Sequence, residues 1–233
     1  MNNLQGEVVG VEEVDEVMRT RMFELMRQSY ENVSPLTFSR DLAEKDQVLL
    51  LRDDTETIQG FTTISYLTIP VHGSTVRGIF SGDTVIAHAY RGQMELQRVW
   101  LRHAVRKSDD EGGLFWFLTS KGYKTYRMLP SFFHQFYPAH NVPTPSYEQA
   151  IMHAFGEYKY KGAYDPEAGV IHYSRTRDAV RKGVADISSE HREDPHINFF
   201  VQVNPTYVDG DDLVCLTKIS RNNLKEVTIS FIS

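Results

Sequence analysis

Apolar positions recur along this chain at two spacings, and the changes from one to the other mark out its elements. Val14, Val17, Met18, Met22, Leu25, Met26 and Tyr30 follow at intervals of three and four, which predicts an amphipathic helix. Before it, residues 7–14 alternate weakly, as a strand would. Ser34-Pro35 reads as an N-cap followed by proline at the first helical position. The helix it opens runs to about residue 45 and is expected to bury Leu36 and Leu42. Strand patterns follow at 48–52, 58–69 and 75–86, with Gly60 as a candidate bulge and His72-Gly73-Ser74 as a turn. These predict an antiparallel meander.

Arg91-Gly92 ends that pattern. From Gln93 the period is helical, with Leu96, Val99, Trp100, Ala104 and Val105 on one face, until residues 109–113 stop it. Residues 114–118 are continuously apolar, as in a strand buried on both faces. Residues 123–137 read as helix, kinked or divided by Pro130. Beyond it, 141–145 is a loop and 147–155 a helix. Residues 170–173 are expected to pair with 158–160 as a hairpin, 176–187 to be helical, and 191–196 to form a charged loop. Residues 198–203 and 213–219 are expected to form a strand pair. The unit of strand, turn, helix and strand at 75–118 predicts a parallel crossover. It sets a helix N-terminus beside a strand end, a natural anion site.

Composition narrows the partners. The 233 residues are 41% hydrophobic and 24% charged, with no biased linker, so one domain over 1–233 is expected. Lys and Arg number 25 against 31 Asp and Glu, a net charge of −6, which argues against nucleic acid as partner. Cys215 is the single cysteine, so no disulfide closes within the chain and a reducing compartment is the simplest reading. With no basic, apolar leader pattern at the start and no apolar run of spanning length, a cytoplasmic protein without a membrane span is expected. The histidines form no His-Glu-x-x-His pattern, and His191 with His196 lacks cysteine partners, so no metal is expected. There is no Gly-x-Gly-x-x-Gly, Walker loop or Gly-x-Ser-x-Gly.

Two segments carry a family resemblance. Ile86-Ala87-His88-Ala89-Tyr90-Arg91-Gly92 resembles the strand-to-turn segment of the GNAT acyltransferase superfamily, and 132–141, from Phe132-Phe133 through Phe136-Tyr137-Pro138, resembles the end of its fourth helix. The element order fits over about 7–140, and 141–233 is a longer C-terminal extension. The implied fold is α/β: a mixed, mainly antiparallel sheet with helices on both faces. The implied activity is transfer of an acetyl or longer acyl group from acetyl-CoA or another acyl-CoA to a small-molecule amine or amino-acid-like acceptor. A homodimer is compatible with it.

By the same resemblance, Ile86, Ala87, Arg91, Gly92, Gln93 and Met94 would meet the cofactor, with phosphate on the turn's backbone amides. Tyr137 is the implied acid for the leaving thiolate, with Tyr126 a weaker choice. Asp83, or His88, is the candidate base for the amine. A bulge aspartate beside Gly82 and a structural histidine are the plainer readings of those two. Lys121 and Lys124 stand where they would either reach phosphate or begin a solvated helix. The turn departs from the family at Met94 and Leu96, where small residues are usual, and Glu95 adds negative charge. That departure keeps two alternatives open: a long-chain donor on acyl carrier protein, or a GNAT-like ligand- or partner-binding protein without catalysis.

Overall fold

The computed structural model describes residues 3–30, 33–173 and 193–232. Eight strands form one sheet in the order β1-β2-β3-β4-β5-β8-β7-β6. They are β1 Gln5–Gly10, β2 Gln47–Arg52, β3 Ile58–Val71, β4 Ser74–Ile86, β5 Leu114–Ser120, β6 Tyr164–Asp165, β7 Val170–Ile171 and β8 Asp212–Ile219. Every neighbouring pair is antiparallel except β4 with β5. The sheet is thus mixed and mainly antiparallel, as expected.

The helices are α1 Glu16–Ser29, α2 Pro35–Ala43, α3 Glu95–Glu111, α4 Tyr123–Tyr126, α5 Met128–Phe132, α6 Ser146–Tyr160, α7 Pro195–Val203 and α8 Glu226–Ile232. Strand alternation sorts them into two layers. Leu49 and Leu51 of β2, Ile64 of β3, Ile79 of β4 and Trp116 of β5 pack with Leu96, Trp100 and Ala104 of α3. The opposite face divides in two. Val48, Leu50, Phe61 and Val85 meet Met22, Leu25, Phe38 and Leu42 of α1 and α2. Leu67, Ile69, Phe80, Phe117 and Leu216 meet Ile151, Met152 and Phe155 of α6.

Local chemistry explains the boundaries. Ser34 accepts from the Thr37 amide and Pro35 stands at the first turn of α2, as the Ser-Pro pair predicts. Gly112 closes α3 in the left-handed conformation at φ 74°, where a side chain would be strained. The register of β2 against β3 slips between Leu51 and Arg52, opposite Gly60.

Several expectations are corrected. Leu36 is 81% exposed, because the buried stripe of α2 is Phe38 and Leu42 and Leu36 lies about 200° around the helix from Phe38. The helix expected over 123–137 breaks at Arg127, before Pro130, and ends at Phe132. Phe133 and Tyr137 lie in extended backbone, bridged to Leu224 and Leu216. Pro138 disfavours helical backbone at Tyr137. Residues 158–160 belong to α6, and β7 pairs instead with β6 and β8. Residues 198–203 are the helix α7, not a strand. Asp194 caps it by accepting from the His196 and Ile197 amides, so His196 sits in that helix rather than in a loop. The helix expected at 176–187 lies outside the described residues. Among the described residues no helix is long and apolar enough to cross a membrane, and no group of three or more His, Cys, Asp or Glu side chains is arranged to hold a metal ion.

Candidate active site

The parallel pair is short. Gly78, Ile79 and Phe80 of β4 pair with Phe115, Trp116 and Phe117 of β5, and there the ladder stops. Beyond Phe80, β4 continues against β3 alone, and beyond Phe117, β5 continues against β8 alone. The two strands separate at their carboxyl ends, where the sheet changes from antiparallel to parallel neighbours. Such crevices are where open α/β sheets bind ligands.

The α3 side of this opening is closed. Trp116 Nε1 donates to Ser81 Oγ at 3.2 Å, and its ring lies 4.2 Å from that of Trp100. The other side is polar. Thr63 and Ser65 of β3 are buried and share a face with Phe61 and Leu67, between the two apolar clusters there. With Gly82 they form a polar strip between the parts of this face covered by α1–α2 and by α6.

Asp83 stands beside this strip on a bulge. The β3–β4 register shifts between Phe61 and Thr63, opposite Gly82 to Val85, and Asp83 has φ 41°, a left-handed conformation that costs energy for a residue with a side chain. Thr63 Oγ1 donates to Asp83 Oδ2 at 3.4 Å, and Lys45 Nζ lies 3.9 Å from the same oxygen. The Asp83 side chain is 27% exposed and that of Lys45 is 9%. Burial raises the Asp83 carboxyl above its ordinary value, and Lys45 only partly opposes this. From α6, Lys159 holds its Nζ 4.3 Å from the centre of the Phe80 ring. Burial first, and the Lys45 charge second, pull the Lys159 ammonium below the usual lysine range.

The turn into α3 stands at the end of β4. Arg91 is exposed, and its guanidinium donates at 3.4 Å to Ile86 O and at 3.5 Å to Ser29 Oγ, both long contacts. Gly92 has φ 91°, and a Cβ there would meet nothing within 4 Å, so the turn surface is open. The Gln93 amide bonds to Tyr90 O. Met94 is the N-cap of α3 and supplies no side-chain cap, which leaves the first amides of the helix to other acceptors. Open glycine, exposed guanidinium and uncapped helix together make a setting that favours an anion. Met94, 36% exposed, and the Glu95 carboxylate, 3.7 Å from Arg98, narrow it.

The structure therefore gathers Ile86, Ala87, Arg91, Gly92, Gln93 and Met94 at one end of the opening and Asp83 along its edge. His88 is exposed on a short 3-10 turn between them. Tyr137 is apart from this group. It bridges Leu216, which pairs with Phe117, which pairs with Phe80, so about three strand spacings, roughly 14 Å, separate it from β4. Its ring borders a small cavity with Phe115, Gln135, Glu148 and Lys218. Tyr126 is fully buried and its hydroxyl donates to Pro138 O at 2.9 Å. Lys121 and Lys124 lie with their ammonium groups 5.0 Å and 6.0 Å from the Tyr173 and Tyr123 rings.

Lys45 and Lys159 were not singled out from the sequence. A signal existed for Lys159: it falls four residues after Phe155, on the same stripe as Ile151, Met152 and Phe155.

No family model matches this chain, and no curated protein matches it in sequence. Among solved structures it is similar to a probable N-acyltransferase of unknown function from Enterococcus faecalis, at 17% identity and TM-score 0.45, over 58% of this chain and 33% of that one. It is similar to a GNAT family N-acetyltransferase from Escherichia coli in complex with CoA, at 17% identity and TM-score 0.36, over 52% of this chain and 63% of that one. It is also similar to N-myristoyltransferase of Saccharomyces cerevisiae with bound myristoyl-CoA, at 13% identity and TM-score 0.39, over 50% and 31%. The matched part is thus about a third of the E. faecalis and yeast chains and less than two thirds of the E. coli one.

Proposed function

We propose that this protein transfers an acyl group from a thioester to an amine at the opening between β4 and β5. The observation that carries the reading is the coincidence of three features there: a parallel pair that ends after three residues, a bulge that holds Asp83 at the mouth, and an open turn into an uncapped α3. A thioester arm entering this gap would run along β4 backbone that has no strand partner on the β5 side. Such groups can polarise a carbonyl. Its carrier phosphate would meet Arg91 and the turn amides. CoA and acyl carrier protein share that phosphate-bearing arm. The choice between them, and the length of the acyl chain, belong to the donor screen.

In the reaction the amine nitrogen attacks the thioester carbonyl, the carbon–sulfur bond breaks, and the departing thiolate takes up a proton. The proton lost by the amine passes to Asp83, directly or through one water. A carboxylate whose proton affinity is raised by burial is better suited to this than an ordinary one.

The test follows free thiol released from acetyl-CoA and from a long-chain acyl-CoA across a panel of amines. Asp83→Asn should lower kcat/KM by about 10²–10⁴-fold, the range general-base catalysis contributes. Wild-type activity should fall as pH drops through the raised Asp83 value, so its acid limb lies above 3.8. An Asp83→Asn variant as active as wild type would remove Asp83 from the mechanism.

A further inference from the structure

Two histidines away from the opening lie ring against ring. His140 follows the extended segment that carries Tyr137 and is exposed, and His196 is half-buried in the first turn of α7. Their ring centres are 4.6 Å apart, with the planes 31° from parallel. Phe136 borders His196 at 5.9 Å. The pair adjoins an aromatic cluster. In it Tyr126 of α4, fully buried, lies 6.2 Å from Phe136, and 6.2 Å and 5.8 Å from Phe199 and Phe200 of α7. The Tyr126 hydroxyl donates to Pro138 O, two residues before His140. Rings thus join residues 133–142, α4 and α7.

The join suits uncharged imidazoles. A neutral ring carries one N–H, whereas an imidazolium carries two and needs an acceptor for each. His196 Nδ1 is buried and has no hydrogen-bond partner among the described residues. A proton there would be a buried, unpaired donor, which is costly. The charges around the ring add to that cost. Arg127, between α4 and α5, and Lys225, just before α8, are cations, and a protonated His140 would be a third. Among the described residues that act on the ring, Asp194 is the one carboxylate, and it is already engaged. Its Oδ2 lies 3.2 Å from Arg127 Nε, and its Oδ1 accepts from the His196 and Ile197 amides.

The geometry points to a pH-sensitive clasp: the uncharged His140–His196 stack closes residues 133–142 onto α7 at neutral pH, and protonation of both rings in mild acid releases α7 from the Tyr126 cluster. Burial first, and His140 second, hold the His196 imidazole below its ordinary value of 6.5. Such a group contributes stability that is present above the unfolded value and is lost as pH falls through the folded one. The clasp does not depend on the acyl-transfer reading.

Hydrogen exchange on the full chain tests it, with each amide's rate corrected for the chemical effect of pH. Between about pH 7.5 and about pH 5.5, where histidine changes charge, the amides of 197–203 should lose protection while those of β2 and β3 keep theirs. His196→Phe keeps a ring in the stack and cannot titrate, so its α7 should stay protected at the lower pH. His196→Gln, uncharged throughout, serves the same comparison if the phenylalanine variant does not fold. A proton NMR titration of the His196 ring should show a midpoint below 6.5. The inference is overturned if wild-type α7 is equally protected at both pH values, or if the folded variant loses as much protection in acid as wild type. Titration of the ring at 6.5 or above would overturn it as well. Each outcome reads the same whether or not the protein transfers an acyl group.

Discussion

At the scale of single residues, two side chains of the candidate site have surroundings that work against their charges. Asp83 is raised by burial in spite of Lys45, and Lys159 is lowered by burial and by Lys45. The first has a consequence for stability that is separate from catalysis. A carboxyl that holds its proton more tightly when folded contributes stability that is fully present below the unfolded value, near 3.8, and is lost as pH rises through the folded value. Above the folded value the ionised, partly buried Asp83 is therefore a burden. Asp83→Asn should unfold at the same or a higher temperature than wild type at pH 7, with the difference shrinking toward pH 4. A variant that is inactive and clearly less stable at pH 7 would mean that Asp83 is chiefly structural. Asp83 and the Arg91-Gly92 turn were legible in the sequence, because an acid beside glycine in a strand and a glycine at a strand-to-helix turn each have a backbone reason. Lys45 was not legible, because its partner lies 38 positions away along the chain, on β4. Tyr137 was placed in a helix because apolar residues at helical spacing continue past Phe132, whereas the backbone turns extended before Pro138.

At the scale of elements, the same start signal was read once and missed once. Ser34-Pro35 and Asp194-Pro195 both join a capping side chain to proline in the first turn, and both open helices. In α7 the run Phe199-Phe200-Val201 has strand-like composition and outweighed the cap, although Ile197 and Phe200 stand at helical spacing on the buried side. The sheet was more legible, since strand alternation and the turns between consecutive strands are local. The pairing of β8 with both β5 and β7 joins distant parts of the chain, and no local pattern encodes it. Close packing of α6 on the sheet supplies a direct check on the layer that carries Lys159. A Cβ on Gly78 of β4 would lie 2.6 Å from Phe155 Cζ, well inside contact distance. Gly78→Ala should destabilise the protein by about 1–3 kcal/mol, the usual cost of overpacking, measured by urea unfolding. A neutral effect would mean that α6 does not rest on β4 as described.

At the scale of the whole molecule, the site is a consequence of topology. An antiparallel meander becomes parallel at β4 and β5 because α3 crosses over between them, and the two strands part where their shared ladder ends. That parting stands beside the N-terminus of α3 and the polar strip of Thr63, Ser65 and Asp83. The central claim is that the opening takes a thioester carrier, and thermal unfolding with and without millimolar CoA, acetyl-CoA and a long-chain acyl-CoA tests it most directly. A ligand at about 100 times its dissociation constant adds about 2.7 kcal/mol, a rise of several degrees in Tm for a chain of this size. The account predicts such a rise with at least one acyl-CoA, diminished by Arg91→Ala. An unchanged Tm with all three would contradict it.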